Sequence, residues 1–501
     1  MKILLVLPPT AEKPSYAEPP SGLLYVASAM KRAGHQPTIL DIYRNYVTPQ
    51  ELLDIVRTNN YETVGFGGIT TCYWYVREAS HLIRRQLPSV HLIAGGVLSS
   101  VHELLLQNTP IDVVCLGEGE ITATQVINRL ATGNREFDDI KGVIFRKDGR
   151  MVRTPRQPYI DNLDDIPIPS YELIDMNTYG FDAMRDPIFS VDIPSKKFYK
   201  EGMRVFNIKT ARGCTNACAF CYRHFLGYRQ HSVEYVITHI KYLQERYNIH
   251  FLRFGDELFT RDKDWVIRLA QRLITENVNI KYIVHGVRTD NVSPELMNAL
   301  KKSGCVTVFI GFESGSQRIL QEMRKNVTVE QNIQAVRTII ESGLNVMVQT
   351  VIGMPGENNE TIGETIDSLV KTKVSPEWLS INYAQAYPGT WLWQYGRREG
   401  LITDQEKYLI EMGKSHDLFL NYTSIPDETM KKWRKQILTS IVRNKYKSTG
   451  KFICLLGTFN PRLYSLGIAY QREGLKFVLK KVVHYFRYYT IMRKFFHEKQ
   501  T

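Results

Sequence analysis

No run of about 18 uncharged apolar residues occurs in the 501-residue chain, so the sequence offers no membrane-spanning helix. Cysteine is scarce: Cys72, Cys115, Cys214, Cys218, Cys221, Cys305 and Cys454 make seven, and only the three between 214 and 221 are clustered. An odd, sparse set of this kind is no disulfide framework and suits a reducing compartment. Neither GxGxxG nor a phosphate-loop pattern is present, so no nucleotide is specified. Internal repeats and low-complexity tracts are lacking too. The apolar start, Ile3 to Leu7, is short and ends at Pro8-Pro9 without a small-residue cleavage pattern, which reads as a buried strand rather than a leader. The expected location is the cytoplasm.

Acidic residues nearly vanish towards the end. Residues 431–501 hold 17 Lys and Arg but 2 Asp and Glu, whereas 1–430 hold 47 and 49. The net charge of +13 therefore belongs to a basic tail on a near-neutral body. That excludes a uniformly basic nucleic-acid coat and points to a local anionic partner for the tail.

What is present is alternation. Short apolar runs at 3–7, 38–41, 63–69, 91–95 and 113–116 are separated by helical patterns, which predicts an α/β domain with an open parallel sheet over residues 1–139. Ligands of such sheets sit beyond the carboxyl ends of the strands. Residues 140–203 are proline-rich and weakly periodic, as a linker or cap would be. A second alternating series follows, with strands at 205–210, 251–254, 282–287, 306–312, 346–352 and 379–386 and a single helical pattern at 317–342. Six strand–helix units predict a partial (β/α)6 TIM barrel over 204–400. Residues 401–501 read as a helical, basic region.

The loop after the first barrel strand reads Arg212-Gly213-Cys214-Thr215-Asn216-Ala217-Cys218-Ala219-Phe220-Cys221, with His224 beyond. Three thiolates in CxxxCxxC spacing can hold three irons of a four-iron cluster and leave the fourth iron open. Structural zinc with His224 as fourth ligand is the alternative. Spacing, and a place at a barrel strand's carboxyl end, favour the cluster.

At these residues the chain resembles the radical S-adenosylmethionine superfamily. The resemblance continues through Phe254-Gly255-Asp256-Glu257, Arg288, Gly311-Phe312-Glu313-Ser314-Gly315, Gly353-Met354-Pro355-Gly356-Glu357 and Tyr387-Pro388-Gly389-Thr390. It implies a [4Fe-4S] cluster on Cys214, Cys218 and Cys221. It also implies S-adenosylmethionine contacts from Asp256, Glu257, Arg288, Glu313 and Ser314, and an electron donor such as flavodoxin or ferredoxin. Radical chemistry of this kind needs oriented cofactors and excluded water rather than an acid–base pair, so no further catalytic residue is assigned.

The front domain resembles that of the cobalamin-binding class of these enzymes, through Pro8-Pro9-Thr10, Ser21-Gly22, Gly95-Gly96 and Gly117-Glu118-Gly119-Glu120. That resemblance implies cobalamin contacts from Thr10, Thr70, Thr71, Gly95, Gly96, Gly117, Glu118, Gly119 and Glu120. Asp41-Ile42-Tyr43 departs from DxHxxG, so no histidine would ligate cobalt from below. The implied activity is a B12-dependent methyltransferase acting on an unactivated carbon of a hydrophobic small molecule or lipid, through a 5′-deoxyadenosyl radical and methylcobalamin. An oxidative cyclase or ring-rearrangement enzyme without methyl transfer is the alternative. A zinc-stabilised membrane-docking or RNA-binding module is a remote one. Methylthiolation of tRNA is set aside, because the front domain lacks three further cysteines. Over 472–497, Lys476, Lys480, His484 and Arg487 share one helical face and apolar residues another. The expectation is an interfacial helix on an anionic membrane surface, peripheral on its inner face, with nucleic acid a poorer partner.

Overall fold

This computed structural model describes residues 1–10, 18–182, 204–414 and 420–445. The expected tail helix at 472–497, Cys454 and positions 183–203 of the expected linker lie outside the described residues.

Five parallel strands open the chain: β1 (Lys2–Leu7), β2 (Gln36–Asp41), β3 (Thr63–Gly67), β4 (His91–Gly95) and β5 (Val113–Cys115). They alternate with α1 (Ser21–Arg32), α2 (Pro49–Thr58), α3 (Tyr73–Gln86), α4 (His102–Asn108) and α5 (Gly119–Ala131). β1 shows why this sheet is covered on both sides. Ile3 and Leu5 pack with Ala27, Met30 and Val126, while Leu4 and Val6 pack with Leu52, Val56 and Val76, so alternate residues serve opposite helical layers. Local signals set the helix ends: Thr48 and Glu51 form a capping box with Pro49 at the first turn of α2. The order β2-β1-β3-β4-β5 reverses direction between β1 and β3, which puts the topological switch point at the carboxyl ends of those two strands.

The sheet does not stop at residue 139. β6 (Val143–Lys147) and β7 (Arg150–Arg153) form an antiparallel hairpin that adds to β5. The hairpin turns at Asp148 and Gly149, with φ of 50° and 74°, the pairing a tight two-residue turn requires. This Asp-Gly signal lies inside the stretch read as a linker.

The second sheet runs β16-β15-β14-β13-β12-β9-β8. Its strands are β8 (Phe181–Asp182), β9 (Arg204–Ile208), β12 (Phe251–Phe254), β13 (Lys281–Arg288), β14 (Cys305–Glu313), β15 (Asn345–Ile352) and β16 (Leu379–Tyr383), all parallel except β8 at the edge. A short antiparallel pair, β10 (Ala211–Arg212) and β11 (Arg229–Gln230), closes the neck of the cysteine loop. The layer of helices comprises α6 (Val233–Tyr247), α7 (Lys263–Thr275), α8 (Pro294–Lys302), α9 (Gln317–Glu322), α10 (Val329–Glu341) and α11 (Asn359–Thr372). The six parallel strands with their helices are the partial barrel. The single helical pattern at 317–342 resolves into α9 and α10, because Arg324 and Asn326 adopt φ of 53° and 55° and end the first helix. Beyond the barrel come α12 (Trp391–Arg398), α13 (Gln405–Lys414) and α14 (Asp427–Lys445). No helix among the described residues is long and apolar enough to cross a membrane.

The two domains share a core. The layer on the α3 face of the front sheet runs on into Ala219, Met323, Met354, Trp393, Tyr408 and Met412. Glu18, just before α1, reaches the barrel: its carboxylate accepts from Asn207 Nδ2 at 2.8 Å and pairs with Arg253.

Candidate active site

The cysteine loop hangs from a neck that tolerates no side chain at its first turn. Gly213 has φ of 88°, and a Cβ there would meet the Gly227 carbonyl oxygen at 2.5 Å. From the barrel side the loop is tied down by main-chain bonds, Ala219 N to Met323 O at 2.8 Å and Leu392 N to Ala219 O at 3.0 Å. Cys214 accepts from Asn216 N at 3.5 Å, and Cys221 N donates to Cys218 O at 3.2 Å. Burial and the neighbouring thiols Cys218 and Cys214 push the Cys221 thiol up to about 12, and burial raises Cys218 as well. The three sulfurs therefore share one electrostatic neighbourhood, in which thiolates need cationic metal beside them.

His224 is not part of that neighbourhood. Its charge neighbours are Arg212, Glu120 and Glu118, its ring packs on Phe225 at 4.2 Å between centroids, and burial lowers it to about 4. Among the described residues no three His, Cys, Asp or Glu side chains have the arrangement of a single-ion site. The Cys3His zinc alternative thus lacks its fourth ligand, whereas three thiols without a fourth protein donor are the donor set of a four-iron cluster with one open iron.

The barrel mouth sorts the other expected residues. Asp256 is buried, and both its oxygens are taken: Oδ1 by Thr210 N at 2.7 Å and Ala211 N at 3.0 Å, Oδ2 by Thr210 Oγ1 at 2.7 Å. It braces the turn that launches the cysteine loop. Glu257, by contrast, is exposed in the mouth and acts electrostatically on Cys221. Arg288 forms a bidentate pair with Asp290, both bonds 3.0 Å, and donates to the Lys325 carbonyl at 2.8 Å. Ser314 is buried, its hydroxyl accepting from Ser316 N at 3.1 Å and lying 3.3 Å from Thr365 Oγ1.

Glu313 sits at φ of 61° and pairs with Lys325 at 2.8 Å, both nearly buried. The pair explains Gly311: a Cβ there would come within 2.5 Å of Glu313 Oε1 and 2.8 Å of Lys325 Nζ. Lys325 is held charged, because Glu313 and Cys218 outweigh the cost of its burial. It puts a cation beneath Cys218. Nothing in the sequence marks it, since the helical pattern at 317–342 reads as continuous across it. In the fifth-strand motif, Glu357 Oε2 accepts from Gly353 N, and from Met354 N at 3.2 Å, while Oε1 is buried without a partner. Burial raises this carboxyl to about 7.

On the front domain the expected cobalamin contacts fall into two groups. The first surrounds a cavity of about 710 Å³ at the switch point between β1 and β3, where Thr10, Gly68, Ile69 and Thr71 face Val351 and Ile381 of the barrel. Tyr43, Phe220 of the cysteine loop, Met412 and Arg434 also line it. Thr71 Oγ1 is buried there without a hydrogen-bond partner, and Thr70 is buried at the start of the same turn. Gly96 backs the Gly68 turn from behind, with Leu98 N donating to Gly68 O at 2.9 Å, while Gly95 lies against Cys115.

The second group, Gly117-Glu118-Gly119-Glu120, does something else. Glu118 accepts from Arg212 Nη1 at 2.7 Å, from Arg229 Nη1 at 2.9 Å and from Ile160 N at 2.6 Å, while Glu120 accepts from Arg212 Nη2 at 2.5 Å. The Glu118 side chain is 1% exposed. These carboxylates clamp the two flanks of the cysteine loop to the front domain. The unpartnered Thr71 hydroxyl and the cavity at the strand ends fit a bound cofactor; Thr10 and Thr71 are the residues that would hold it.

Residues 208–369 match the Radical SAM superfamily and residues 9–127 the B12 binding domain. The chain is 30% identical over 458 residues to the "Uncharacterized methyltransferase PH0819" of Pyrococcus horikoshii, covering 89% of this chain and 92% of that protein. It is 25% identical over 356 residues to the anaerobic magnesium-protoporphyrin IX monomethyl ester cyclase of Rubrivivax gelatinosus, covering 69% of this chain and 61% of the cyclase. Among solved structures, TsrM from Kitasatospora setae, a radical S-adenosylmethionine methyltransferase with cobalamin and [4Fe-4S] cluster bound, shares the fold. Its TM-score is 0.64 at 18% identity, over 90% of each chain. A [4Fe-4S] cluster, S-adenosylmethionine and cobalamin are the cofactors that this combination of domains takes. The chain belongs to the family of radical S-adenosylmethionine enzymes that carry a cobalamin-binding domain.

Proposed function

We propose that this enzyme methylates an unactivated carbon of a hydrophobic small molecule or lipid. The observation that carries the reading is the cavity at the switch point, walled by the front-sheet turns, by Val351 and Ile381 of the barrel and by Phe220 between two of the cysteines. Cofactor edge, cluster loop and an apolar space meet there. When bound, the cluster and S-adenosylmethionine supply the radical that removes a substrate hydrogen, and cobalamin supplies the methyl group. The chain's own residues position and shield. Glu257, open in the mouth, would take the amino group of S-adenosylmethionine, and Asp256 keeps the cysteine loop in place. The Glu313–Lys325 pair fixes charge beside Cys218, and Phe220, Val351 and Ile381 give the cavity an apolar wall.

The cyclase among the relatives supports a second reading, in which the substrate radical closes or oxidises a ring without methyl transfer. Incubating the reconstituted enzyme with substrate and methyl-labelled S-adenosylmethionine separates the two. Methylation gives labelled product with both deoxyadenosine and S-adenosylhomocysteine; deoxyadenosine alone leaves the cyclase reading.

Exposed Lys431, Lys432, Arg434, Lys435 and Arg443 on α14, with Arg434 also on the cavity wall, support docking on an anionic membrane that presents the substrate. Liposome flotation with and without anionic lipid tests this. Equal behaviour in the two removes it.

A further inference from the structure

The cavity at the switch point has two sides of different character. The front-domain side carries Thr10, Gly68 and Thr71, and beside it Phe220, Val351 and Ile381 are apolar. The far side is built by the end of β16 and the residues after it, Asn382, Tyr383, Gln385 and Tyr387, together with Arg434 of α14. Among the described lining residues Arg434 is the one charged side chain, and none is a carboxylate. The acidic residues at the start of its own helix are engaged elsewhere, Glu428 with Lys431 at 3.3 Å and Asp427 with Asn421 Nδ2 at 2.8 Å. The helix is pinned to the barrel. Trp433 is buried with Nε1 donating to Asn359 Oδ1 at 2.7 Å, and the Tyr383 hydroxyl donates to Lys431 O at 3.3 Å. Met430 packs on Gly353, where a Cβ would collide with its methyl group. A guanidinium held at the rim of a cavity that has no carboxylate of its own suits an oxyanion, which it can grip with two parallel N–H groups.

We infer that Arg434 holds an anionic head group, carboxylate or phosphate, of an amphipathic substrate whose apolar body lies along Phe220, Val351 and Ile381. The inference rests on the proposed methylation of a hydrophobic molecule and narrows it. The substrate is an amphiphile with an oxyanion at one end, held by that end so that its apolar part runs towards the cysteine loop. One guanidinium on an otherwise neutral wall selects against a cationic head by repulsion and against an uncharged one by leaving its own charge unanswered. Asn382 and Gln385 on the same side add neutral hydrogen-bonding groups. Cobalamin offers the same chemistry, since its nucleotide loop carries a phosphate, and the test sets the two sources apart.

The test uses the full chain, reconstituted anaerobically with its cluster and cobalamin, and four probes of equal chain length: decanoate, decyl phosphate, decanol and decylamine. Binding is measured by calorimetry without S-adenosylmethionine, so no turnover is needed. The wild type should bind the two anions about tenfold or more tightly than decanol, with decylamine weakest. Arg434→Gln should lower anion affinity about tenfold and leave decanol within about twofold, while Arg434→Lys, which keeps the charge without the planar fork, falls between. Lys302→Gln, which removes an exposed charge on α8, is the control and should change none of them. Equal affinity of the wild type for decanoate and decanol overturns the inference, as does an anion affinity that Arg434→Gln leaves unaltered. For the second source, corrin absorbance follows titration of the cobalamin-free chain with cobalamin and with cobinamide, which lacks the phosphate. Arg434→Gln should bind both as the wild type does; a loss of about tenfold for cobalamin alone gives Arg434 to the cofactor and overturns the substrate assignment. Labelled methyl transfer to a substrate without an anionic group would sink this inference and leave the functional reading standing. Anion binding through Arg434 by an enzyme that forms no methylated product does the reverse.

Discussion

The front sheet ends in two kinds of turn that look alike in sequence. The turns after β1 and β3 are neutral, carrying Thr10, Gly68 and Thr71, and they border an open cavity with a hydroxyl still unpaired. The turn after β5 carries Glu118 and Glu120, and it is saturated by Arg212, Arg229 and a main-chain N–H. Glycines allow close approach in both, but charge decides what approaches. A neutral turn at a switch point is left for a ligand, whereas a buried carboxylate must be paired by the protein itself. The first set borders an open space and the second is a clamp.

The comparison can be broken by experiment. Glu118→Ala leaves Arg229, only 14% exposed, without a carboxylate and Arg212 with Glu120 alone, so it should cost about 3–5 kcal/mol of unfolding free energy in a urea titration. A loss below about 1 kcal/mol would show that the clamp is not tight. Glu357 is the contrasting buried carboxylate, held by two main-chain N–H groups and no ion pair. Its carboxyl is raised from 4.5 to about 7 in the folded chain, so the folded state binds the extra proton between those values. Stability should be full below about pH 4.5, fall as pH rises towards 7 and level off above. The whole change is about 3 kcal/mol, and in Glu357→Gln the slope disappears.

Thr71→Val removes an unpaired hydroxyl from the edge of that open space. It should leave the melting temperature unchanged or slightly higher and weaken cobalamin binding about threefold to tenfold, read from the corrin absorbance on titration. The smallest effect belongs to Lys31→Ala. It breaks a 2.8 Å bridge to Glu172 whose side chains are 51% and 45% exposed, and a cost of about 0–1 kcal/mol sets the surface baseline against which Glu118 is judged.

Much of this was legible in the sequence because it rests on local patterns. Strand–helix alternation located both sheets, and the CxxxCxxC loop located the site. The β6–β7 hairpin was hidden because the prolines that follow it, from Pro155 onward, dominated the composition of the stretch, although Asp148-Gly149 marked its turn. The break between α9 and α10 depends on two non-glycine residues at positive φ, which periodicity does not register. Asp256 and Glu257 stand side by side in sequence, yet in the turn after β12 one is consumed by Thr210 and Ala211 while the other stays open. The clamp joins Glu118 to Arg212 across 94 residues, and a pairing of that range leaves no trace in a single sequence.

The core shared by the two domains also bears on how the chain is made. Tyr73 on α3 donates to Glu406 on α13, 333 residues later, and Tyr408 and Met412 complete the same apolar layer. While the chain emerges from the ribosome, the outer face of α3 stays without its α13 partner until most of the barrel has followed it. The interval between translating residue 86 and residue 412 is therefore when this protein is most open to aggregation, and when a chaperone has most to hold.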